Sequence, residues 1–154
     1  MKFEKFTEYS TVGDVIGDAA FKNFGRLLFP VHRPLSGKMT LKEVSSSQVY
    51  LWYSHIQVEK TLDILNTLKE RALAGETIFY DIYTEEEKAA DPDKEDTGLF
   101  FFKGDPGARF AVCNAGGAFA YVGAMHDSFP HALTLSQKGY NAFALIYRPG
   151  AQTA

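Results

Sequence analysis

This sequence of 154 residues has a single cysteine, no long apolar run and no large excess of one charge. Its single cysteine, Cys113, excludes an intrachain disulfide and favours a reducing compartment. No apolar run approaches the length of a membrane span, and the N-terminal residues have no hydrophobic signal core. These absences predict a cytoplasmic protein in which Cys113 is a small buried hydrophobic residue.

The charges are nearly balanced, with 16 Lys and Arg against 19 Asp and Glu and a formal net charge of -3. Because no basic cluster stands out, the sequence predicts neither nucleic acid nor a membrane surface as a partner. Aromatic residues are abundant instead, with 13 Phe and 8 Tyr. Together with a hydrophobic content of 45%, they predict one domain over residues 1–154 with an aromatic-rich core.

Residues 1–75 are expected to form an N-terminal extension of this domain. Spacings of three and four between apolar residues predict an amphipathic helix over 58–74, and Gly75 stands where a glycine commonly follows a helix. The earlier patterns are weaker. They favour a short helix at 12–21 that is interrupted by Gly13 and Gly17, an extended or irregular segment at 24–34, a helical turn at 41–44, and an aromatic-rich segment without a clear period at 49–56.

Residues 76–154 have the patterns of a sheet. The charged segment 85–96 contains a proline and is expected to be a solvated loop, and a helix is expected from Asp127 or Ser128 to Gly139. A strand, a helix and a strand in this order predict a right-handed βαβ unit with parallel strands. Apolar, β-rich runs predict four strands, at 77–83, 98–102, 109–114 and 140–148.

A glycine-rich loop follows the strand at 109–114. In the run RFAVCNAGGAFAYVG, residues 109–123, Gly116 and Gly117 lie between alanines, and the next large side chain is that of Phe119. Such a stretch lets another group approach the backbone, and its N–H groups can point at an anion or a developing oxyanion. A tight turn without any ligand is the simpler interpretation of the same two glycines.

The segment 78–150 resembles the first strands of the α/β-hydrolase fold, and its glycine loop resembles the HGGG-type oxyanion loop of bacterial esterases. The preceding FGRLLFP, residues 24–30, and the amphipathic helix resemble the N-terminal extension of such hydrolases. Ala115 or Asn114 stands in place of the histidine, and Ala118 in place of the third glycine. The resemblance implies an α/β fold with a mainly parallel but incomplete sheet.

The same resemblance implies which residues form a site. The implied oxyanion donors are the backbone N–H groups of Gly116, Gly117 and Ala118, and alanine still offers its N–H. Phe119 and Tyr121 are implied to line the acyl side of the pocket. A small acyl or acetyl ester is the implied substrate, and neither a cofactor nor a metal is implied.

The catalytic serine of such an esterase is absent from this sequence. No G-x-S-x-G occurs in the 154 residues, and the fold places the nucleophile, the acid and the histidine after the fourth strand. His126 and His131 do not have the spacing of a helical metal pair, so they are interpreted as ordinary polar residues. The chain is therefore expected to be the N-terminal part of a serine hydrolase, cut, truncated or naturally paired with the rest.

By the resemblance, the strand at 109–114 lies between the strand at 140–148 and the absent nucleophile strand. Its outer edge would then be bare, and a bare apolar edge tends to pair with another strand. The expected partner is the remainder of the hydrolase or a second copy that covers this edge. A different interpretation is a non-catalytic α/β module that binds a partner chain or an anion through the glycine loop or the open edge.

Overall fold

The structure is a computed structural model that describes residues 3–46 and 56–150. Most of the aromatic-rich segment considered at 49–56 lies outside the described residues. The α-helices of the described part are α1 (Val12–Ile16), α2 (Leu41–Ser46), α3 (Val58–Leu73), α4 (Glu85–Ala90) and α5 (Ser128–Gln137). The strands of the described part are β1 (Phe79–Tyr80), β2 (Gly98–Phe102), β3 (Phe110–Asn114) and β4 (Asn141–Ile146).

The four strands form one mixed sheet in the order β1-β2-β4-β3. β3 and β4 are parallel and are connected through α5, so the prediction of parallel strands in this unit is confirmed. The prediction of a mainly parallel sheet is wrong, because β2 is antiparallel to both β1 and β4. Strand direction depends on which distant segments pair, and β4 inserts between β2 and β3 although these two are neighbours in sequence.

Helix α3 confirms the amphipathic helix that the spacing of apolar residues predicts. Gly75 follows it with a φ of 81°, in the region that glycine adopts most easily. The N–H of Gly75 donates to the carbonyl of Ala72, and the N–H of Glu76 donates to the carbonyl of Arg71. These two bonds are those of a Schellman motif, which accounts for the end of the helix at this position.

The charged segment 85–96 is not a loop, since it contains α4 and a 3₁₀ turn at Pro92–Lys94. The N–H of Glu87 donates to the hydroxyl of Thr84, and the N–H of Thr84 donates to the carboxylate of Glu87. This reciprocal pair is a capping box, and it satisfies two backbone donors at the start of the helix. The T-x-x-E pattern therefore decides the local structure more strongly than the density of charge.

Three other segments differ in extent from their predictions. Only Phe79–Tyr80 of the predicted strand 77–83 pairs with a neighbour. Residues 12–21 form α1, which ends before Gly17 as expected, and then a separate 3₁₀ turn. The segment 24–34, expected to be extended or irregular, contains a 3₁₀ turn at Gly25–Leu28. In such short segments tertiary packing overrides the local preference of the residues.

One hydrophobic cluster contains buried residues from both halves of the chain. Phe129 of α5 packs on Phe100 and Phe102 of β2, with ring centroids 4.9 and 5.8 Å away. Phe100 and Phe102, with the neighbouring Ala142, Ala144 and Ile146 of β4, are fully or almost fully buried on the side of this helix. This side of the sheet, called the covered face, bears Phe100, Phe102, Ala142, Ala144 and Ile146.

Candidate functional site

The glycine-rich loop leaves the carboxyl end of β3 and leads through a 3₁₀ turn at Ala124–His126 into α5. The prediction of a strand at 109–114 is confirmed by β3, and α5 confirms the helix expected after Asp127 or Ser128. In open α/β sheets, ligands bind outside the carboxyl ends of the strands. The loop therefore lies where such a sheet places its binding sites.

The loop backbone has three successive residues with positive φ. Gly117 has a φ of 152°, and a side-chain carbon at this position would collide with the carbonyl oxygen of Tyr121. Ala118 and Phe119 follow with φ values of 52° and 59°, in the left-handed region that costs an L-residue roughly 1–2 kcal/mol. Non-glycine residues persist in such conformations only where the surrounding structure holds them, and they are concentrated at functional sites.

One peptide group at the start of the loop is held at both of its ends. The hydroxyl of Tyr147, just after β4, donates a hydrogen bond of 2.6 Å to the carbonyl of Ala115. The N–H of the same peptide group, which belongs to Gly116, donates a hydrogen bond of 2.7 Å to Asp127 Oδ2. This doubly held group is called the clamped peptide below, and it fixes the loop to the sheet and to the start of α5.

Beyond the clamped peptide, the loop closes on itself. The N–H of Ala120 donates to the carbonyl of Gly117 at 2.9 Å, and the N–H of Gly123 donates to the carbonyl of Gly116 at 3.0 Å. Within the described part of the chain, the N–H groups of Gly117, Ala118 and Phe119 donate to no acceptor. Successive backbone N–H groups in turn conformations form concavities that bind anions, so this loop has donors available for one.

The residues that the family resemblance implies for the site are not all on one side of the loop. Gly116 and Ala118 are exposed and Gly117 is buried. Phe119 keeps 70% of its surface exposed, whereas Tyr121 keeps 1% and belongs to the interior beneath the loop. Phe119 is therefore available to a ligand above the loop, and Tyr121 supports the loop from below.

Asp127 and Tyr147 are the site residues that the sequence did not reveal. Asp127 was expected only as a possible helix cap, but its side chain bonds to Gly116 and makes no capping bond to α5. Tyr147 lies on an apolar strand segment, and nothing in that pattern indicates that its hydroxyl reaches Ala115. Both contacts join residues from different elements, so a local sequence signal for them does not exist.

The carboxylate of Asp127 also affects the acid–base properties of its neighbours. Burial, and then the negative charge of Asp127, raise the pKa of the Cys113 thiol above its usual value. The same two causes raise the pKa of the Tyr147 phenol. Cys113 itself is half-buried on the edge strand β3, so the expectation of a buried cysteine is wrong. The raised pKa keeps this thiol protonated at neutral pH.

The histidines near the loop have different surroundings. His126 is half-buried with its Nε2 inside the protein, and burial lowers its pKa to about 4. His131 is exposed, and its Nδ1 lies 2.8 Å from the backbone carbonyl of Asp127. Among the described residues, no group of three or more His, Cys, Asp or Glu side chains is arranged to hold a metal ion.

Two serines on α5 were interpreted from the sequence as capping or solvated residues. Ser136 is buried, and its hydroxyl donates to the carbonyl of Lys103 at 2.6 Å. Ser128 is also buried, and its hydroxyl makes no hydrogen bond within the described part of the chain. Neither hydroxyl is presented at the surface of a strand-to-helix turn, which is how the nucleophile of an α/β hydrolase is exposed.

No family model, curated protein or solved structure matches this chain. In residues 3–46 and 56–150, the helices are too short or too polar to cross a membrane. The function therefore has to be inferred from the chemistry of the loop and from the sheet around it.

Proposed function

We propose that the loop after β3 binds the oxyanion in a serine hydrolase of the α/β-hydrolase type, and that the nucleophile lies on a segment that pairs with β3. The backbone of the loop carries this proposal. Next to the clamped peptide, three successive N–H groups donate to no described residue, and they lie at the carboxyl end of a parallel strand.

The chemistry of ester hydrolysis explains why such donors matter. When a serine attacks the ester carbonyl, a negative charge develops on the carbonyl oxygen. Donors that are fixed in place beforehand stabilise this charge without reorganising during the reaction. Gly117 and Ala118 are the proposed donors, and losing one such donor costs roughly 2.7–4 kcal/mol of transition-state stabilisation.

The remaining residues of the loop have supporting parts in this proposal. The N–H of Gly116 is bonded to Asp127, so Gly116 fixes the loop and leaves charge stabilisation to the next two residues. Phe119, with most of its ring exposed, lines the acyl side of a pocket for a small ester. Tyr121 is buried and supports the loop from the side of the core.

The position of β3 supports a nucleophile that comes from a neighbouring strand. Among the described residues, β3 lies at an edge of the sheet and pairs with β4 alone, which is the placement that the resemblance to α/β hydrolases implies. A strand added to the free edge would end beside the loop. A serine just after that strand would then face the donors of Gly117 and Ala118.

A non-catalytic module that binds a partner chain is the second candidate function. Phe110 and Val112 favour it, since 74% and 49% of their surfaces are exposed at the free edge. Large apolar side chains at an edge strand mark a surface for association, whatever chemistry follows. The two candidates differ in whether the associated polypeptide carries a reactive serine.

A fluorophosphonate probe distinguishes them when it is applied to two preparations. One is the chain of 154 residues alone, and the other is the native protein with any polypeptide that remains attached to it. We expect no labelling of the chain alone and one labelled serine in the native preparation. Stoichiometric labelling of a residue of this chain, or a native preparation with associated polypeptide and no labelled serine, contradicts the hydrolase proposal.

A further inference from the structure

A cavity of about 550 Å³ lies beside β1, at the opposite edge of the sheet from the glycine-rich loop. It is called the β1 pocket below, and its walls come from parts of residues 22–27, 79–88 and 95–97. Small-molecule sites commonly have volumes of about 300–1,000 Å³. Within the described part of the chain no residue of the glycine-rich loop lines this cavity, so it is separate from the proposed oxyanion site.

The β1 pocket lies at the end of the sheet where ligands of α/β proteins bind. β1 and β4 both run opposite to β2, and β3 is parallel to β4, so the carboxyl ends of β1, β3 and β4 point the same way. Asp81 directly follows β1 and lines the pocket, and Thr97 lines it just before β2 begins. Ligands in open α/β sheets bind outside the carboxyl ends of the strands.

Two stacked phenylalanines form the apolar side of the β1 pocket. The rings of Phe24 and Phe79 are 4.7 Å apart and nearly coplanar, and both pack on the buried ring of Phe100, at 5.8 and 5.1 Å. A side-chain carbon at Gly98 would collide with the ring of Phe79, so this glycine provides the space that the ring occupies. Phe24 and Phe79 are themselves half-buried, and their outer surfaces are available to an apolar group.

Arg26 joins two walls of the β1 pocket. Its Nε donates to Asp96 Oδ1 at 2.8 Å, its Nη1 donates to the carbonyl of Asn23 at 2.6 Å, and its Nη2 donates to the carbonyl of Glu95 at 2.8 Å. These bonds hold the turn at 22–24 at a fixed distance from the turn at 95–97. A pocket whose walls are fixed beforehand loses less free energy when a ligand binds.

The third wall carries a net negative charge. The ammonium of Lys88 donates to Asp81 Oδ1 at 2.7 Å and to Glu85 Oε1 at 2.9 Å, and only 11% of the Lys88 side chain is exposed. One ammonium is therefore shared by two carboxylates. A positively charged group of a ligand would be attracted to this wall.

Lys22 and Glu95 line the same cavity without pairing. Within the described residues, neither side chain forms an ion pair or a hydrogen bond. Lys22 precedes Asn23, whose carbonyl bonds to one end of the Arg26 guanidinium, and the carbonyl of Glu95 bonds to the same guanidinium through its other terminal nitrogen. The pocket thus has one unpaired cation and one unpaired carboxylate with space between them.

The backbone at the β1 pocket has a conformation that is rare outside functional sites. Among the described residues, non-glycine residues with positive φ occur at only two places, the glycine-rich loop and Asn23, where φ is 79°. Asparagine is one of the few residues that adopt this conformation without a large cost. Such residues are concentrated at active sites and at segments that hold ligands. The side-chain amide of Asn23 is exposed beside Lys22 at the pocket.

We propose that the β1 pocket binds a zwitterionic dipeptide that has an aromatic side chain. Three cations (Lys22, Arg26 and Lys88) and three carboxylates (Asp81, Glu85 and Glu95) line the cavity, so their formal charges balance and favour a ligand without net charge. The carboxylate of the dipeptide binds the Lys22 ammonium and the Asn23 amide, and its ammonium binds the carboxylate of Glu95. Its aromatic ring packs on Phe24 and Phe79, as aromatic rings do in pairs. This site does not depend on the proposed function, because the pocket and the loop are at opposite edges of the sheet.

Calorimetric titration of the native protein with glycyl-L-phenylalanine tests the site. We expect saturable binding with a Kd below about 1 mM. Three analogues each lack one recognised group: the N-acetyl form lacks the ammonium, the C-terminal amide lacks the carboxylate, and glycylglycine lacks the ring. Each analogue should bind at least about tenfold more weakly, which corresponds to about 1.4 kcal/mol.

Charge-removing variants assign each end of the dipeptide to a wall. Lys22→Gln should raise the Kd of glycyl-L-phenylalanine roughly tenfold and leave that of its amide unchanged, since the amide has no carboxylate to lose a partner. Glu95→Gln should raise the Kd of the dipeptide by a similar factor and leave that of the N-acetyl form unchanged. Lys138→Gln and Glu86→Gln remove the same charges at exposed positions that do not line the pocket, and they should bind as the wild type does.

Several results would overturn the inference. Absence of saturable binding would show that the pocket does not take such a ligand. An amide that binds as tightly as the dipeptide would show a site for cations instead of zwitterions. A Kd that is the same in the wild type, Lys22→Gln and Glu95→Gln would place the dipeptide elsewhere, and equal weakening in the two control variants would show a general effect of charge.

A final comparison separates this site from the proposed hydrolase site. Labelling the native protein with the fluorophosphonate before the titration should leave the Kd of the dipeptide unchanged. A Kd that rises on labelling would assign the dipeptide to the catalytic site and remove the proposed pocket. Dipeptide binding in a preparation without a reactive serine would support the β1 pocket even though the hydrolase proposal had failed.

Discussion

The carboxylate of Asp127 accepts a hydrogen bond of 2.7 Å from the N–H of Gly116, and so the first residue before α5 is tied to the loop that follows β3. A residue at this position commonly caps its own helix, but Asp127 makes no such bond. Its side chain instead holds the peptide group whose carbonyl is held by Tyr147. The conformation of the loop therefore depends on two residues outside it.

Replacing Asp127 is expected to release the loop and to change the titration of Cys113. Asp127→Ala removes a charged acceptor from a partly exposed bond, so we expect a loss of about 1–2 kcal/mol in the free energy of unfolding. Asp127→Asn keeps an acceptor oxygen and should lose less. Both variants remove the negative charge that contributes to the raised pKa of Cys113, so this pKa should fall while remaining above its usual value because burial persists.

The rate of Cys113 alkylation by iodoacetamide, followed against pH, measures this shift directly. Urea unfolding of the same variants measures the stability. A thiol pKa that is identical in the wild type and in Asp127→Asn would show that the carboxylate does not act on Cys113.

Tyr147→Phe is expected to destabilise the other end of the clamped peptide. The carbonyl of Ala115 belongs to a residue that is 5% exposed, and the phenol of Tyr147 donates to it. Removing the hydroxyl leaves this acceptor without its partner, which costs about 1–3 kcal/mol. Combining Tyr147→Phe with Asp127→Ala in a double-mutant cycle should give a non-additive loss, because both residues hold one peptide group. Additive losses would mean that the two contacts are independent.

Gly117→Ala is expected to destabilise the protein, whereas Ala118→Gly is expected to leave its stability nearly unchanged. Gly117→Ala places a methyl group against the carbonyl of Tyr121, so the loop must move and the free energy of unfolding should fall by several kcal/mol. Ala118→Gly relieves a positive φ of 52° and keeps the N–H, so stability should stay within about 1 kcal/mol of the wild type.

If the loop acts as proposed, the same two variants also differ in activity when they are assayed in the native protein with its attached polypeptide. With p-nitrophenyl acetate as substrate, Ala118→Gly should retain kcat, whereas Gly117→Ala should lower kcat more than it changes KM, since the donors act chiefly in the transition state. A raised KM with unchanged kcat in Gly117→Ala would assign the loop to ground-state binding.

His126 is expected to make stability depend on pH in a defined window. Burial lowers its pKa from 6.5 to about 4 in the folded protein. Between these two values the unfolded chain binds a proton that the folded chain does not, so stability is lost as the pH falls through this window. The loss reaches at most about 3 kcal/mol near pH 4.

Urea unfolding at pH 7, 6, 5 and 4.5 tests this effect. His126→Gln should flatten the dependence. The cap carboxylates of Glu43 and Glu87 have lowered pKa values, so their contribution is lost only at more acid pH. A wild-type stability that is constant from pH 7 to 4.5 would show that the pKa of His126 is the same in the folded and unfolded chain.

The elements with strong local signals were predicted closely. The three- and four-residue spacing and Gly75 predict α3, whose structure has the expected end. The apolar runs predict β2, β3 and β4, and every observed strand end lies within two residues of its predicted position. Local backbone geometry and a periodic apolar pattern are sufficient for such elements.

The candidate site was predicted only in part. The two glycines indicate a loop that a ligand can approach, and the structure provides donors there at Gly117 and Ala118. No sequence pattern indicates that Asp127 binds the N–H of Gly116, or that Tyr121 is buried while Phe119 is exposed. Each of these depends on contacts between elements, which no local pattern encodes.

Local sequence patterns specify the α/β class of the fold and most of its elements, and the sequence contains no G-x-S-x-G serine. The packing of distant segments determines that β2 is antiparallel, that β3 lies at an edge of the described sheet and that the sheet face bearing Phe101 and Phe143 is only half-buried. Helices and turns close their hydrogen bonds over a few residues, so the local sequence specifies them. The strand pairs and the contacts of the clamped peptide join residues that are 11 to 48 positions apart, and they depend on the packing of the whole chain.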